Sequence, residues 1–115
     1  MIIGKQFKFE AAHYLPNHPK CGQVHGHTYL VDVEIDGPAN DETYFVMDLH
    51  DLSDIAKVAI EKYDHRTLND FFAYPTCEEI AHQIFWEIKP CLPERTWLTK
   101  VKVQEGIGGY AIYEG

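Results

Sequence analysis

The chain has 115 residues, 45% hydrophobic and 24% charged, which is the size and composition of one globular domain over residues 1–115. Its formal net charge of -8, with no basic run, excludes a partner held through its phosphate backbone, so nucleic acid is not expected. No apolar stretch approaches the roughly 20 residues that span a bilayer, no leader-like segment opens the chain, and three irregularly spaced cysteines make no disulfide framework, so a cytoplasmic protein without membrane contact is expected.

In chain order, Lys5 to Ala12 reads as a strand with Phe7 and Phe9 on one face. It runs into an irregular, proline- and glycine-containing segment from Tyr14 to Val24, a loop of functional length. From His25, Tyr29, Val31, Val33 and Ile35 alternate with Leu30, Asp32, Glu34 and Asp36 until Gly37 and Pro38 close the strand. Asp48 predicts a helix cap, because Leu52, Ile55, Ala56, Ala59, Ile60 and Tyr63 then follow at amphipathic helical spacing. A second helix is predicted from Thr76, where Thr76-Cys77-Glu78-Glu79 fits a capping box, through Ile80, Ile84, Phe85 and Ile88 to a stop before Pro90. Leu98 to Glu105 alternates Val101 and Val103 with Lys100, Lys102 and Gln104, Gly106 to Gly109 turns, and Tyr110 to Glu114 returns. The ββααββ order predicts an α+β fold, a four-stranded antiparallel sheet with both helices on one face.

His13, Cys21, His25 and His27 cluster where the first strand ends and the second begins. Residues 25 and 27 point the same way on an extended chain, so their imidazoles can converge on one ion while His13 approaches from the neighbouring strand. Three imidazoles leave a fourth position for water or substrate, the catalytic pattern for zinc, and no carboxylate or methionine accompanies the set to favour iron or copper. With Cys21 as fourth ligand the same residues make a closed zinc module that only scaffolds, and spacing alone leaves both readings open.

Phe9-Glu10-Ala11-Ala12-His13 and Cys21-Gly22-Gln23-Val24-His25-Gly26-His27 together resemble the signature of the 6-pyruvoyltetrahydropterin synthase family. The resemblance continues through Asp64-His65-Arg66-Thr67-Leu68-Asn69, Pro75-Thr76-Cys77-Glu78 and Val101-Lys102-Val103-Gln104-Glu105. Within the family, the spacing of Cys21 to His25-Gly26-His27 is similar to that of the bacterial 6-carboxytetrahydropterin synthases of queuosine precursor synthesis. Gly106 departs from the family pattern, where many relatives carry threonine.

The resemblance implies a T-fold whose sheets join into a barrel, two trimers stacked as a homohexamer, and active sites at subunit contacts. It implies a lyase acting on a small-molecule pterin triphosphate, 7,8-dihydroneopterin triphosphate, with Zn2+ held by His13, His25 and His27. Cys21 is implied as general base, with zinc ligand as its other reading, and Asp64 with His65 as the second proton-handling unit. Glu105, a charge on the core-facing side of its strand, is implied to anchor the pterin by accepting two parallel N–H donors, and Thr76 to touch the same ring while capping its helix. Carbon–carbon cleavage would release a two-carbon aldehyde and the 6-carboxy product. Retention of all side-chain carbons would give the 6-pyruvoyl product, and a pterin-binding module without turnover stands outside both. His18, His50, His82, Cys77 and Cys91 have no motif support and read as structural or surface residues.

Overall fold

The computed structural model describes residues 1–115. Strand β1 (Ile2–His13) and strand β2 (His25–Asp36) form a long antiparallel hairpin, longer at its start than the predicted first strand. Helix α1 (Leu49–Ile60) and helix α2 (Cys77–Ile88) follow, separated by a two-residue strand β3 (Arg66–Thr67), and strands β4 (Trp97–Glu105) and β5 (Gly109–Tyr113) close the chain. The sheet order is β3-β1-β2-β4-β5. The α+β reading therefore stands, but the sheet has five strands and not four. The additional strand, β3, runs parallel to β1 through the pairs Ala11 with Arg66 and Ala12 with Thr67. Two residues are too few to carry an alternating pattern, so no periodicity announced it.

Alternation sets the two faces. Tyr29, Val31, Val33, Ile35, Val101 and Val103 are fully buried under the helices, while Leu30, Asp32, Glu34, Lys100 and Lys102 face the other way. At roughly 1.5–3 kcal/mol for each large apolar side chain removed from water, this face fixes the register of β2 against β4. Asp48 caps α1 by accepting from the His50 amide at 2.8 Å. Thr76 caps α2 by accepting from the Glu79 amide at 3.2 Å, but the reciprocal half of the capping box is absent because the Thr76 amide already donates to Tyr74 O at 2.8 Å. The predicted turn from Gly106 is present, with Gly106 and Gly108 at φ +57° and +120°, a region that costs glycine little.

Candidate metal and substrate site

The β1–β2 hairpin register places His13 directly opposite His25 and Ala11 opposite His27. All three imidazoles then point to the helix-covered face at the end of the sheet, and their ligand-capable atoms lie within 4.8 Å of one another. His13 is buried and donates Nδ1–H to Pro75 O at 2.8 Å, the residue just before the α2 cap. His25 donates Nδ1–H to Gln23 O at 2.7 Å. A carbonyl can only accept, so each Nδ1 carries the proton and each Nε2 presents a lone pair. These two lone pairs face each other at 3.1 Å.

The third nitrogen strengthens the pattern. His27 Nε2 is buried with no hydrogen-bond partner, because Glu105 Oε1 approaches to 3.1 Å from outside the hydrogen-bonding direction. Burial first, then the neighbouring His13 and His25 imidazoles, hold the His27 pKa below the usual histidine range against the opposing pull of Glu105. A buried orphan nitrogen beside two opposed lone pairs is what a divalent cation would satisfy. The backbone carbonyls behind His13 and His25 orient the rings as outer-shell partners do in metal sites. Sequence reading did not foresee Pro75 and Gln23 in this role, since they act through backbone oxygens that no side-chain motif encodes.

Glu105 stands next to this cluster. Its register partner is Tyr29, and Gly106 donates to Thr28 O at 2.8 Å to fix the strand end. The carboxylate is about one-third exposed and faces His27 and His13, at 3.1 and 3.9 Å, and the Cys77 thiol at 3.8 Å, with no lysine paired to it. Thr76, partly buried, sits between Pro75 and Cys77 and so in the segment that touches both His13 and Glu105.

Cys21 lies in the 14–24 loop, which the structure folds on itself. Leu15 donates to Cys21 O at 2.7 Å, and the amides of Lys20 and Cys21 both donate to His18 Nδ1, at 3.1 and 2.9 Å. His18, read as structural or surface from the sequence, is thus the staple that shapes the segment carrying Cys21. The group able to hold a metal consists of the three histidines without Cys21.

Asp64 and His65 follow a short 3₁₀ turn after α1 and dock on the edge of β1. Asp64 Oδ1 accepts from the Glu10 amide at 2.8 Å, its Oδ2 meets His65 Nδ1 at 2.9 Å, and His65 adopts φ +59°. The Glu10 amide first, and the His65 hydrogen bond second, hold the Asp64 carboxyl below the usual carboxylate range. His65, Arg66 and Thr67 line one open hollow of about 530 Å³ with Glu10, Gly26, His27 and Thr28. The His65 side chain makes no hydrogen bond to the three clustered histidines, Cys21 or Glu105.

Known proteins resemble this chain in sequence and fold. Residues 2–115 match the family model described as 6-pyruvoyl tetrahydropterin synthase. A provisionally named 6-carboxy-5,6,7,8-tetrahydropterin synthase of Archaeoglobus fulgidus is 47% identical over 76% of this chain and 76% of its own length. The 6-carboxy-5,6,7,8-tetrahydropterin synthase of Synechocystis is 38% identical over 76% of this chain and 74% of its own. A dihydroneopterin monophosphate aldolase of Pyrococcus furiosus is 32% identical over 85% and 83%. The Caenorhabditis elegans 6-pyruvoyl tetrahydropterin synthase structure superposes with a TM-score of 0.90 at 26% identity, covering 100% of this chain and 95% of that one.

Proposed function

The chain belongs to the 6-pyruvoyl tetrahydropterin synthase family, and we propose that it is a zinc-dependent 6-carboxy-5,6,7,8-tetrahydropterin synthase. It would convert 7,8-dihydroneopterin triphosphate to 6-carboxytetrahydropterin, acetaldehyde and triphosphate on the way to queuosine-type 7-deazapurines, with residues 1–115 acting as one unit. The observation that carries this reading is the convergence of His13, His25 and His27 beside Glu105, three imidazoles whose ligand-capable nitrogens meet next to a carboxylate, one of them buried without a partner. The similar spacing of Cys21 to His25-Gly26-His27, together with the Archaeoglobus and Synechocystis relatives, supports the 6-carboxy branch.

Zinc held by His13, His25 and His27 would act as a Lewis acid for negative charge developing on the substrate's side-chain oxygens. The remaining roles belong to the chain. Glu105 orients the ring by accepting from the pterin's amino group and adjacent N–H, and Thr76 lines the same end of the site while capping α2. Cys21 removes the poorly acidic side-chain proton as thiolate. His65, oriented by Asp64 at 2.9 Å, exchanges protons with substrate hydroxyls. Because the His65 side chain bonds to Asp64 and to no other residue of the cluster, we assign the Asp64–His65 pair to the site of a neighbouring chain in a homohexamer. The closed-module reading loses support from the metal-holding group, which consists of the three histidines alone.

The Pyrococcus relative favours a second reading, aldol-type cleavage of the dihydroneopterin side chain, and the nematode structure a third, elimination to the 6-pyruvoyl product. Metal content combined with mass analysis of the products from 7,8-dihydroneopterin triphosphate separates them. The expected result is about one zinc per chain with 6-carboxytetrahydropterin and acetaldehyde. A 6-pyruvoyl mass, or an aldehyde without loss of triphosphate, would replace the assignment, and full turnover by metal-free protein would remove zinc from it.

A further inference from the structure

Cys77 was set aside at the sequence level, yet it is the first residue of α2, buried, and its Sγ lies 3.8 Å from Glu105 Oε2. That contact is the one side-chain hydrogen bond Glu105 makes. Its other oxygen, Oε1, stands 3.1 Å from His27 Nε2, and Oε2 itself lies 3.9 Å from His13 Nε2. The thiol is therefore the one donor that draws the carboxylate toward the helix rather than toward the imidazoles and the cation they would hold. We propose that Cys77 is a positioning residue: its thiol donates to Glu105 and keeps that carboxylate turned toward the substrate's N–H donors. This rests on the pterin-anchor reading of Glu105.

Two features make the thiol suited to the task. It must keep its proton, and although a helix N-terminus ordinarily favours a thiolate, burial first and the Glu105 charge second push Cys77 up to about 12. It must also be fixed. The Thr76 cap pins the first turn of α2, and Pro75 O accepts from His13 Nδ1, so three consecutive residues tie the helix to both the imidazole cluster and the anchor. A residue of similar size with no donor would fill the space without holding Glu105.

Binding of 7,8-dihydroneopterin, followed by calorimetry, and the S–H stretch in the infrared test the proposal together. The wild-type minus Cys77→Ser difference spectrum isolates the Cys77 band, which is expected to rise in frequency in Glu105→Ala, where the acceptor is gone. Cys77→Ala is expected to weaken binding about three- to tenfold, the loss of one weak hydrogen bond, and Cys77→Ser to restore it to within about twofold. Wild-type binding by Cys77→Ala, or a band unmoved by Glu105→Ala, overturns the proposal. If the band moves but Glu105→Ala binds dihydroneopterin as tightly as wild type, the contact is real and the pterin-anchor reading is what fails, taking the positioning role with it.

Discussion

Glu105 carries its charge on the side of β4 where Val101 and Val103 are fully buried, and a carboxylate there needs donors. The structure supplies one weak donor, and the neighbouring His27 and His13 imidazoles make no hydrogen bond to it, which leaves most of its accepting capacity for a ligand. If Glu105 anchors the ring as proposed, Glu105→Gln replaces one acceptor of a bidentate pair with a donor facing the pterin's own donors. The expected cost is about 2 kcal/mol in KM with kcat little changed. Steady-state kinetics on folded variant decide it, and an unchanged KM would take Glu105 out of the pterin site.

Two short elements, neither of them a regular helix or strand, set where Cys21 and the Asp64–His65 pair stand. In the 14–24 loop, a Cβ on Gly22 would sit 2.7 Å from His18 O, a backbone atom that cannot yield cheaply. Gly22→Ala must therefore shift the segment that His18 staples around Cys21. Activity is expected to fall on the order of 10- to 100-fold while metal content holds, since a small misplacement of a reacting group is costly and the three histidines lie on strands. Metal analysis beside kcat checks this, and loss of metal in step with activity would show the loop and the ligands to be one unit.

The second element is the edge at Asp64–His65. Its folded-state carboxyl pKa is depressed, so its contribution is present above the ordinary carboxylate pKa of about 4 and is lost as pH falls through the lower folded value. Hydrogen exchange at the Glu10 amide, which donates to Asp64, should lose protection in that acid window in wild type and run flat in Asp64→Ala. Equal pH dependence in both would place the titrating group elsewhere.

At the scale of the whole molecule, the helices cover one face of the sheet and leave the other to Gln6, Lys8, Glu10, Thr28 and Lys102. The radius of gyration is 15.2 Å, against about 13 Å for a compact chain of this length, as the long β1–β2 hairpin requires. A shape this thin encloses little on its own, and the proposed substrate, a pterin with a triphosphate, needs walls. If neighbours provide them, Cys21→Ala and His65→Ala chains, each nearly inactive alone, should regain a fraction of activity when refolded together, because some hybrid sites hold both residues. Hybrids that demonstrably form yet stay inactive would assign both residues to one chain.

Features that repeat, or that sit beside their partner along the chain, were legible before any folding. Alternation in β2 and β4, the amphipathic spacing of α1 and α2, the caps at Asp48 and Thr76, and the paired His25 and His27 follow from local geometry, because a strand or helix places its side chains by its own period. What only the tertiary structure decided depends on contacts across distance. The pairing of Ala11 and Ala12 with Arg66 and Thr67 joins segments some fifty residues apart, and two residues have no period to display. The choice of Nδ1 as the protonated nitrogen of His13 comes from the Pro75 carbonyl, and the protonated state of Cys77 from burial beside Glu105. Those are properties of surroundings, fixed only when α2 comes down on the end of the sheet.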